Sequence, residues 1–255
     1  MKSKLAEVFS IISGKGGVGK TFISINLAYA LNNFNKKVLL IDSNITTPNV
    51  SIVLRVDRRG KTIHDFLKSK IELEDAIFKT KYGFDLIPGS LQIEDLVDVD
   101  LDRLYFLYKV REKYDYIILD SSAGLGREAY SSIKAADETI LVTTPEKAAL
   151  MDALRAIKIC KTLGTKIKGI ILNRYTENVD LYKIETLLEE KLIGTVREDE
   201  NVQYSMNIGI PLIEIDPNSP ASLDILNISK RILGIKEEIK EEGFLTKIFN
   251  IFKWR

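Results

Sequence analysis

Residues 14–21 read GKGGVGKT, with glycine at four of eight positions. Residues 8–13 before it are apolar and β-branched, the pattern of a strand, and a helical pattern begins near residue 20. A glycine-rich turn held between strand and helix leaves the chain few options. The strand belongs inside a sheet, the helix folds back across it, and the turn sits at the strand's carboxyl end. The rest of the chain repeats this alternation. Residues 38–42, 85–88, 116–120, 139–143 and 168–173 also read as strands, several of them apolar almost throughout. That is the composition of strands buried on both faces of a parallel sheet. Residues 20–32, 63–68, 91–113, 130–135, 150–163 and 181–191 read as helices, with 222–233 as the last helix of the domain. Further short strands are expected near residues 192–196 and 212–215. The reading is therefore α/β: a doubly wound, mostly parallel sheet of about seven or eight strands with helices on both faces.

Composition narrows this further. A chain of 255 residues that is 45% hydrophobic builds one large α/β domain or at most two small ones. Lys+Arg is 37 and Asp+Glu is 36, and a net charge of +1 argues against nucleic acid as a partner. The one cysteine, Cys160, cannot form an internal disulfide or hold a metal cluster alone, and it reads as a buried helix residue. The one histidine, His64, reads as packing or helix surface. The amino-terminal residues run straight into a strand pattern without signal-peptide anatomy. No apolar run reaches the roughly 20 residues that span a bilayer. The expected location is the cytoplasm.

In its strand–turn–helix context the glycine-rich segment is a phosphate loop. Glycines let successive N–H groups turn toward phosphate oxygens, and the helix amino terminus adds its dipole. The nucleotide-binding set is Gly14, Lys15, Gly16, Gly17, Val18, Gly19, Lys20, Thr21 and Phe22. Lys20 bridges the β- and γ-phosphates and the Thr21 hydroxyl ligates magnesium, so the expected cofactors are ATP and Mg2+. A second lysine, Lys15, stands early in the loop. The run KGGVGKT, residues 15–21, resembles the MinD/ParA family of P-loop ATPases, which is marked by the deviant loop KGGxGKT. In that family the early lysine reaches across a dimer to the other subunit's nucleotide. The resemblance implies an ATP-dependent homodimer with Lys15 acting in trans, as an arginine finger does.

The resemblance continues in order along nearly the whole chain, from Val8 to Leu233, and lies nearest the MinD branch. Asp42 ends a strand at the ligand edge of the sheet and looks like the family's first switch acid, near magnesium. Where the MinD branch has a second Asp, this chain has Asn44, which orients a water without taking its proton. Lys15, Lys20 and Asn44 are the catalytic candidates. Asn49 matches a switch asparagine; its other reading is a turn residue after Pro48. The hydrophobic strand YIILD ends at Asp120, the Walker B acid, which makes Thr21, Asp42 and Asp120 the metal set. In the following SSAGLG, Ser122 stands where the family has proline, and Gly124 would sense the γ-phosphate through its N–H. Glu146 and Asp152 match dimer-face residues, or else are acids at a solvated helix start. Asn173 and Arg174 resemble the pair at the adenine edge, and Arg197 replaces a proline of the base-pocket wall.

Past residue 235 the chain changes character. The ATPase domain is assigned to residues 1–235, a charged spacer to 236–242 and an amphipathic helix to 243–255. At 100° per residue Phe244, Leu245, Ile248, Phe249, Ile251 and Phe252 share one face of that helix. Thr246, Lys247, Asn250 and Lys253 lie opposite, Trp254 sits near the boundary, and the segment carries no acid. A short basic amphipathic helix reads as an interfacial membrane anchor; the alternative is packing on the domain itself or on a partner. The MinD branch carries such a helix. The expectation is a MinD-like ATPase that dimerises on ATP, binds the inner face of the cell membrane peripherally and leaves on hydrolysis. It would position division or other machinery, with an activator or cargo protein as a further partner. The alternatives are a nucleotide-gated scaffold with little turnover, which Asn44 favours, and a ParA-like DNA-partitioning ATPase. A metal-cluster carrier needs paired cysteines, which this chain lacks.

Overall fold

The computed structural model describes residues 5–235. The spacer at 236–242 and the assigned membrane face, Phe244, Leu245, Ile248, Phe249, Ile251 and Phe252, lie outside the described residues. In chain order the strands are β1 Glu7–Ser13, β2 Val38–Ser43, β3 Phe78–Lys79, β4 Asp85–Ile87, β5 Tyr116–Ala123, β6 Glu138–Thr143, β7 Lys166–Tyr175 and β8 Leu192–Arg197. The α-helices are α1 Lys20–Asn33, α2 Asn49–Leu54, α3 Ile63–Leu67, α4 Arg127–Ala135, α5 Lys147–Leu163, α6 Leu181–Leu188, α7 Asn201–Ile208, α8 Leu212–Ile215 and α9 Pro220–Ile232.

The eight strands form one sheet in the order β3-β4-β2-β5-β1-β6-β7-β8. All pairings are parallel except β3 with β4 at one edge. Strand β1 is central, with β5 on one side and β6 on the other, so the chain leaves it in both directions across the sheet. A crevice opens beyond the carboxyl ends of the strands at such a switch point. Phe9, Ile11, Leu40 and Ile118 point to one face, where they pack with α1, α2, α8 and α9. Val8, Leu39, Ile41 and Ile117 point to the other, beneath α3 and the segment around Leu104. Ile12 and Leu141 continue that second face beneath α4, α5 and α6. The two-residue alternation along β1 divides the layers. Helix α1 is apolar nearly all round because α8 and α9 cover the side that the sheet leaves free.

Two expectations about elements change. Residues 91–113 are not one α-helix. They form two 3₁₀ segments, Ile93–Leu96 and Leu101–Lys113, separated where Asp98 takes a left-handed φ of 58°. The buried residues Leu104, Leu107 and Val110 recur every third position, and a 3₁₀ helix sets such positions in one row, whereas an α-helix spreads them. Residues 212–215 are not a strand. Pro211 presets the backbone for one helical turn, and the Ile213 N–H donates to Asn26 Oδ1 of α1, which leaves no edge for sheet pairing.

Cys160 is buried and free, as expected, and receives the Thr139 hydroxyl at 3.6 Å. His64 is fully buried and does packing work of a particular kind. Its Nε2 donates to the Ile45 carbonyl at 2.9 Å, and its Nδ1 accepts the Ser90 N–H at 3.0 Å. That pattern is the neutral imidazole, because a second ring proton would face the Ser90 N–H. Burial pushes its pKa down, against an opposing contribution from the Ile45 bond. The folded ring stays neutral where the unfolded one protonates, so stability present above about pH 6.5 is lost as pH falls through that value. Urea unfolding at pH 7.5 and 5.5 is expected to show a loss of about 1 kcal/mol that His64→Gln lacks. Equal acid losses in both proteins would refute this role.

Candidate nucleotide site

The loop 14–21 leaves β1 and enters α1 through Gly19, whose φ of 94° is left-handed. A side chain there would also place Cβ 2.2 Å from Asn173 Nδ2. At Gly14 the constraint is contact alone: a Cβ would lie 2.1 Å from the carbonyl oxygen of Asp152 in α5. The Ser13 hydroxyl donates to the Lys15 carbonyl at 2.8 Å and pins the loop's entry. Lys20 is buried, and desolvation lowers its pKa while the nearby Asp120 carboxylate opposes that shift.

Asp42 and Asp120 are register partners at the ends of β2 and β5, so two carboxylates meet at the floor of the crevice. Asp120 accepts the Thr21 hydroxyl at 2.7 Å and the Ser24 hydroxyl at 2.7 Å. Burial raises its pKa, which Lys20 partly offsets. In Asp42, Oδ2 accepts both the N–H and the hydroxyl of Ser51 at 3.1 Å. Its Oδ1 is buried and, among the described residues, has no hydrogen-bond partner. Burial first, and the Asp120 charge second, push the Asp42 carboxyl up to about 8. A buried carboxylate oxygen without a donor, beside a second acid and a threonine hydroxyl, is a hard, all-oxygen set that fits Mg2+. Thr21, Asp42 and Asp120 would hold it.

The cleft above this floor has a volume of about 940 Å³, within the range of nucleotide-sized ligands. Gly16, Gly17, Gly19, Lys20, Thr21 and Phe22 form its base, with Asn44, Asn49 and Arg174 at its sides. Asn44 is buried, and its Oδ1 accepts the Thr47 hydroxyl at 3.2 Å. Lys15 is exposed, and its ammonium lies 3.1 Å from Glu146, the residue before α5. Asp152 pairs with Arg155 of its own helix at 2.9 Å.

At three positions the structure shows contacts that the resemblance does not include. The Gly124 N–H donates to the Ser13 carbonyl at 3.0 Å, so it can meet a γ-phosphate only by leaving that bond. Asn173 is buried beneath the loop, and its Nδ2 donates to the Val18 carbonyl at 2.8 Å. It first supports the loop's shape, while Arg174 beside it reaches the cleft. Arg197 does not line the cleft. Its Nε and Nη2 grip the Asp224 carboxylate of α9 at 2.9 and 2.8 Å.

The structure also brings in residues that sequence reasoning passed over. Val202, Gln203 and Met206 of α7 form one wall, and Val53, Thr46 and Thr47 another. The i,i+4 spacing of Val202 and Met206 was the available sign of a helix face there. Arg127 and Glu128 open α4 and line the cleft as well. Glu128 accepts the N–H groups of Ile45 and Thr46 at 3.1 and 3.2 Å, and the Thr46 hydroxyl too. Its position in the first turn of the helix after β5 was the sequence signal.

Comparisons with known proteins agree with this geometry. The AAA domain family matches residues 6–173. An ATP-binding protein of Methanocaldococcus jannaschii is 37% identical over 97% of both chains. The septum site-determining protein MinD of Bacillus subtilis is 31% identical over 97% of this chain and 98% of its own length. The solved structure of MinD from Pyrococcus horikoshii, complexed with Mg-ADP, superposes with a TM-score of 0.86 at 33% identity, covering 92% of this chain and all of that one. With its phosphate loop, paired switch acids and full-length likeness to these proteins, the chain belongs to the MinD/ParA family of P-loop ATPases.

Proposed function

We propose that this chain is a MinD-like ATPase that cycles between cytosol and membrane and so positions division or other cellular machinery. The observation that carries the reading is the crevice itself, where the loop 14–21, buried Lys20 and the Asp42–Asp120 floor converge. Loop N–H groups and Lys20 would bind and orient the ATP phosphates, and Thr21, Asp42 and Asp120 would hold Mg2+, which would supply neutralisation of phosphate charge. Phosphoryl transfer is mostly positioning and charge stabilisation, so these groups supply most of what hydrolysis to ADP and phosphate needs. Asn44 orients the attacking water without acting as a base. ATP joins two copies, and Lys15 leaves Glu146 to reach the second copy's nucleotide. Residues 243–255 anchor each copy weakly to lipid, and pairing adds avidity of about 10²–10⁴. Among the described residues no helix is long and apolar enough to cross a membrane.

Liposome pelleting tests this. Pelleting is expected with ATP, but not with ADP and not after deletion of residues 243–255. Equal pelleting in all three would sink the membrane cycle. Replacing Lys15 with alanine should leave ATP affinity within about threefold yet slow phosphate release by about 10²-fold or more. Undiminished release would remove the trans role.

A second reading is a nucleotide-gated scaffold, favoured by Asn44 and by the Thr47 hydroxyl already bound to its oxygen. Clear phosphate turnover, with or without lipid, excludes it.

A further inference from the structure

The phosphate end of the cleft holds more cationic side chains than the loop alone provides. Lys20 sits beside Asp120 and Lys15 is held by Glu146. Arg174 lies near the carboxyl end of β7, next to Asn173, and lines the cleft with the α7 residues Val202, Gln203 and Met206. Arg127 is different. It opens α4 after a three-residue turn from the end of β5, and β5 touches the phosphate loop: a Cβ on Gly16 would meet Ala123 Cβ at 3.7 Å. It lines the cleft with Asn44, Thr46, Ser122 and Ala123. Among the described residues its guanidinium has no hydrogen-bond or ion-pair partner.

Its neighbour explains why. Glu128, the nearest acid in sequence, spends both carboxylate oxygens on Ile45 and Thr46. Those bonds bolt the first turn of α4 to the loop after β2, and they leave Arg127 at the cleft without an ion pair to Glu128. A planar guanidinium with five donors, fixed at its backbone and unbonded among the described residues, is suited to a phosphate.

Resting on the reading of this cleft as an ATP site, we propose that Arg127 is the residue that distinguishes ATP from ADP. Its guanidinium binds the terminal phosphate, from a turn that Glu128 holds in place. The α- and β-phosphates and the base are left to the loop and the side walls. Loss of Arg127 therefore weakens the triphosphate far more than the diphosphate.

The test is calorimetric titration of the full chain with Mg-ADP and with a magnesium complex of a non-hydrolysable ATP analogue. Wild type, Arg127→Ala and Arg127→Lys are compared at equal ionic strength. Arg127→Ala is expected to weaken the analogue roughly 10- to 100-fold and ADP by less than about threefold. Arg127→Lys, which keeps the charge but not the fork, should fall between. The exposed, unbonded site predicts unfolding midpoints within about 2 °C of wild type, which separates ligand loss from misfolding. Equal weakening of both ligands, or of neither, overturns the assignment while leaving the ATP site standing. A wild type that binds neither ligand overturns the ATP reading itself.

Discussion

Replacing Gly14 with alanine should lower the unfolding midpoint by roughly 6–12 °C and abolish nucleotide binding. The added carbon would sit 2.1 Å from the Asp152 carbonyl oxygen, 2.2 Å from its carbonyl carbon and 2.8 Å from its Cβ. Two of those atoms are backbone in the middle of α5, so no side-chain rotation relieves the clash. Either the loop or α5 must move, and α5 is fixed by Leu150, Ala153, Ala156, Ile157 and Cys160 in the core it shares with β6 and β7. Overpacking of this kind costs about 3 kcal/mol or more. Gly17 is the control. Its φ of 79° strains any side chain, but nothing lies within 4 Å, so alanine there should cost about 1 kcal/mol. Calorimetric melting with ATP titration of both variants checks the pair. A Gly14→Ala protein that melts and binds like wild type would show that α5 yields freely.

Asp42→Asn should do the reverse to stability while destroying function. The folded Asp42 carboxyl is raised from 3.8 to about 8, with burial as the main cause. A raised carboxyl contributes stability that is complete below the unfolded value and lost as pH climbs to the folded one. Nucleotide-free wild type should therefore weaken between about pH 4 and pH 8, with a slope of at most about 1.4 kcal/mol per pH unit from this one proton. Asparagine keeps the shape and has no proton to lose, so the variant should be the more stable protein at pH 8. It should also lose most of its Mg2+-dependent nucleotide affinity, since the cation's ligand has become neutral. Urea unfolding at pH 5 and 8, and titrations with and without Mg2+, give both halves. A variant no more stable than wild type at pH 8 would place the Asp42 proton elsewhere.

Much of this was legible in the sequence because the chemistry is local. The strand, the glycines and Lys20-Thr21 are contiguous, and Asp42 and Asp120 each close an apolar strand. What escaped was made by folding. The sheet order places β7 beside β6, where the Asn173 amide also supports the loop through the Val18 carbonyl, a role that no local pattern shows. The Glu128 bonds to Ile45 and Thr46 join residues more than eighty positions apart, which no local pattern encodes. The 3₁₀ segments were read as a helix because a period of three and a period of 3.6 look alike over a few turns. For residues 212–215, the short run LIEI, apolar but for Glu214, fits strand or helix equally, and Asn26 decides between them.

The contact between Lys15 and Glu146 has a consequence in terms of ionic strength. Both side chains are well exposed, at 43% and 60%, so their attraction is screened and worth at most about 1 kcal/mol. Such a pair parks the lysine without imprisoning it. Salt weakens the resting contact before any partner arrives, whereas a contact with a desolvated phosphate is screened far less. Moderate salt should therefore tilt the balance toward release of Lys15, and in the proposed trans role the lysine would need no dedicated trigger beyond a nucleotide to reach for.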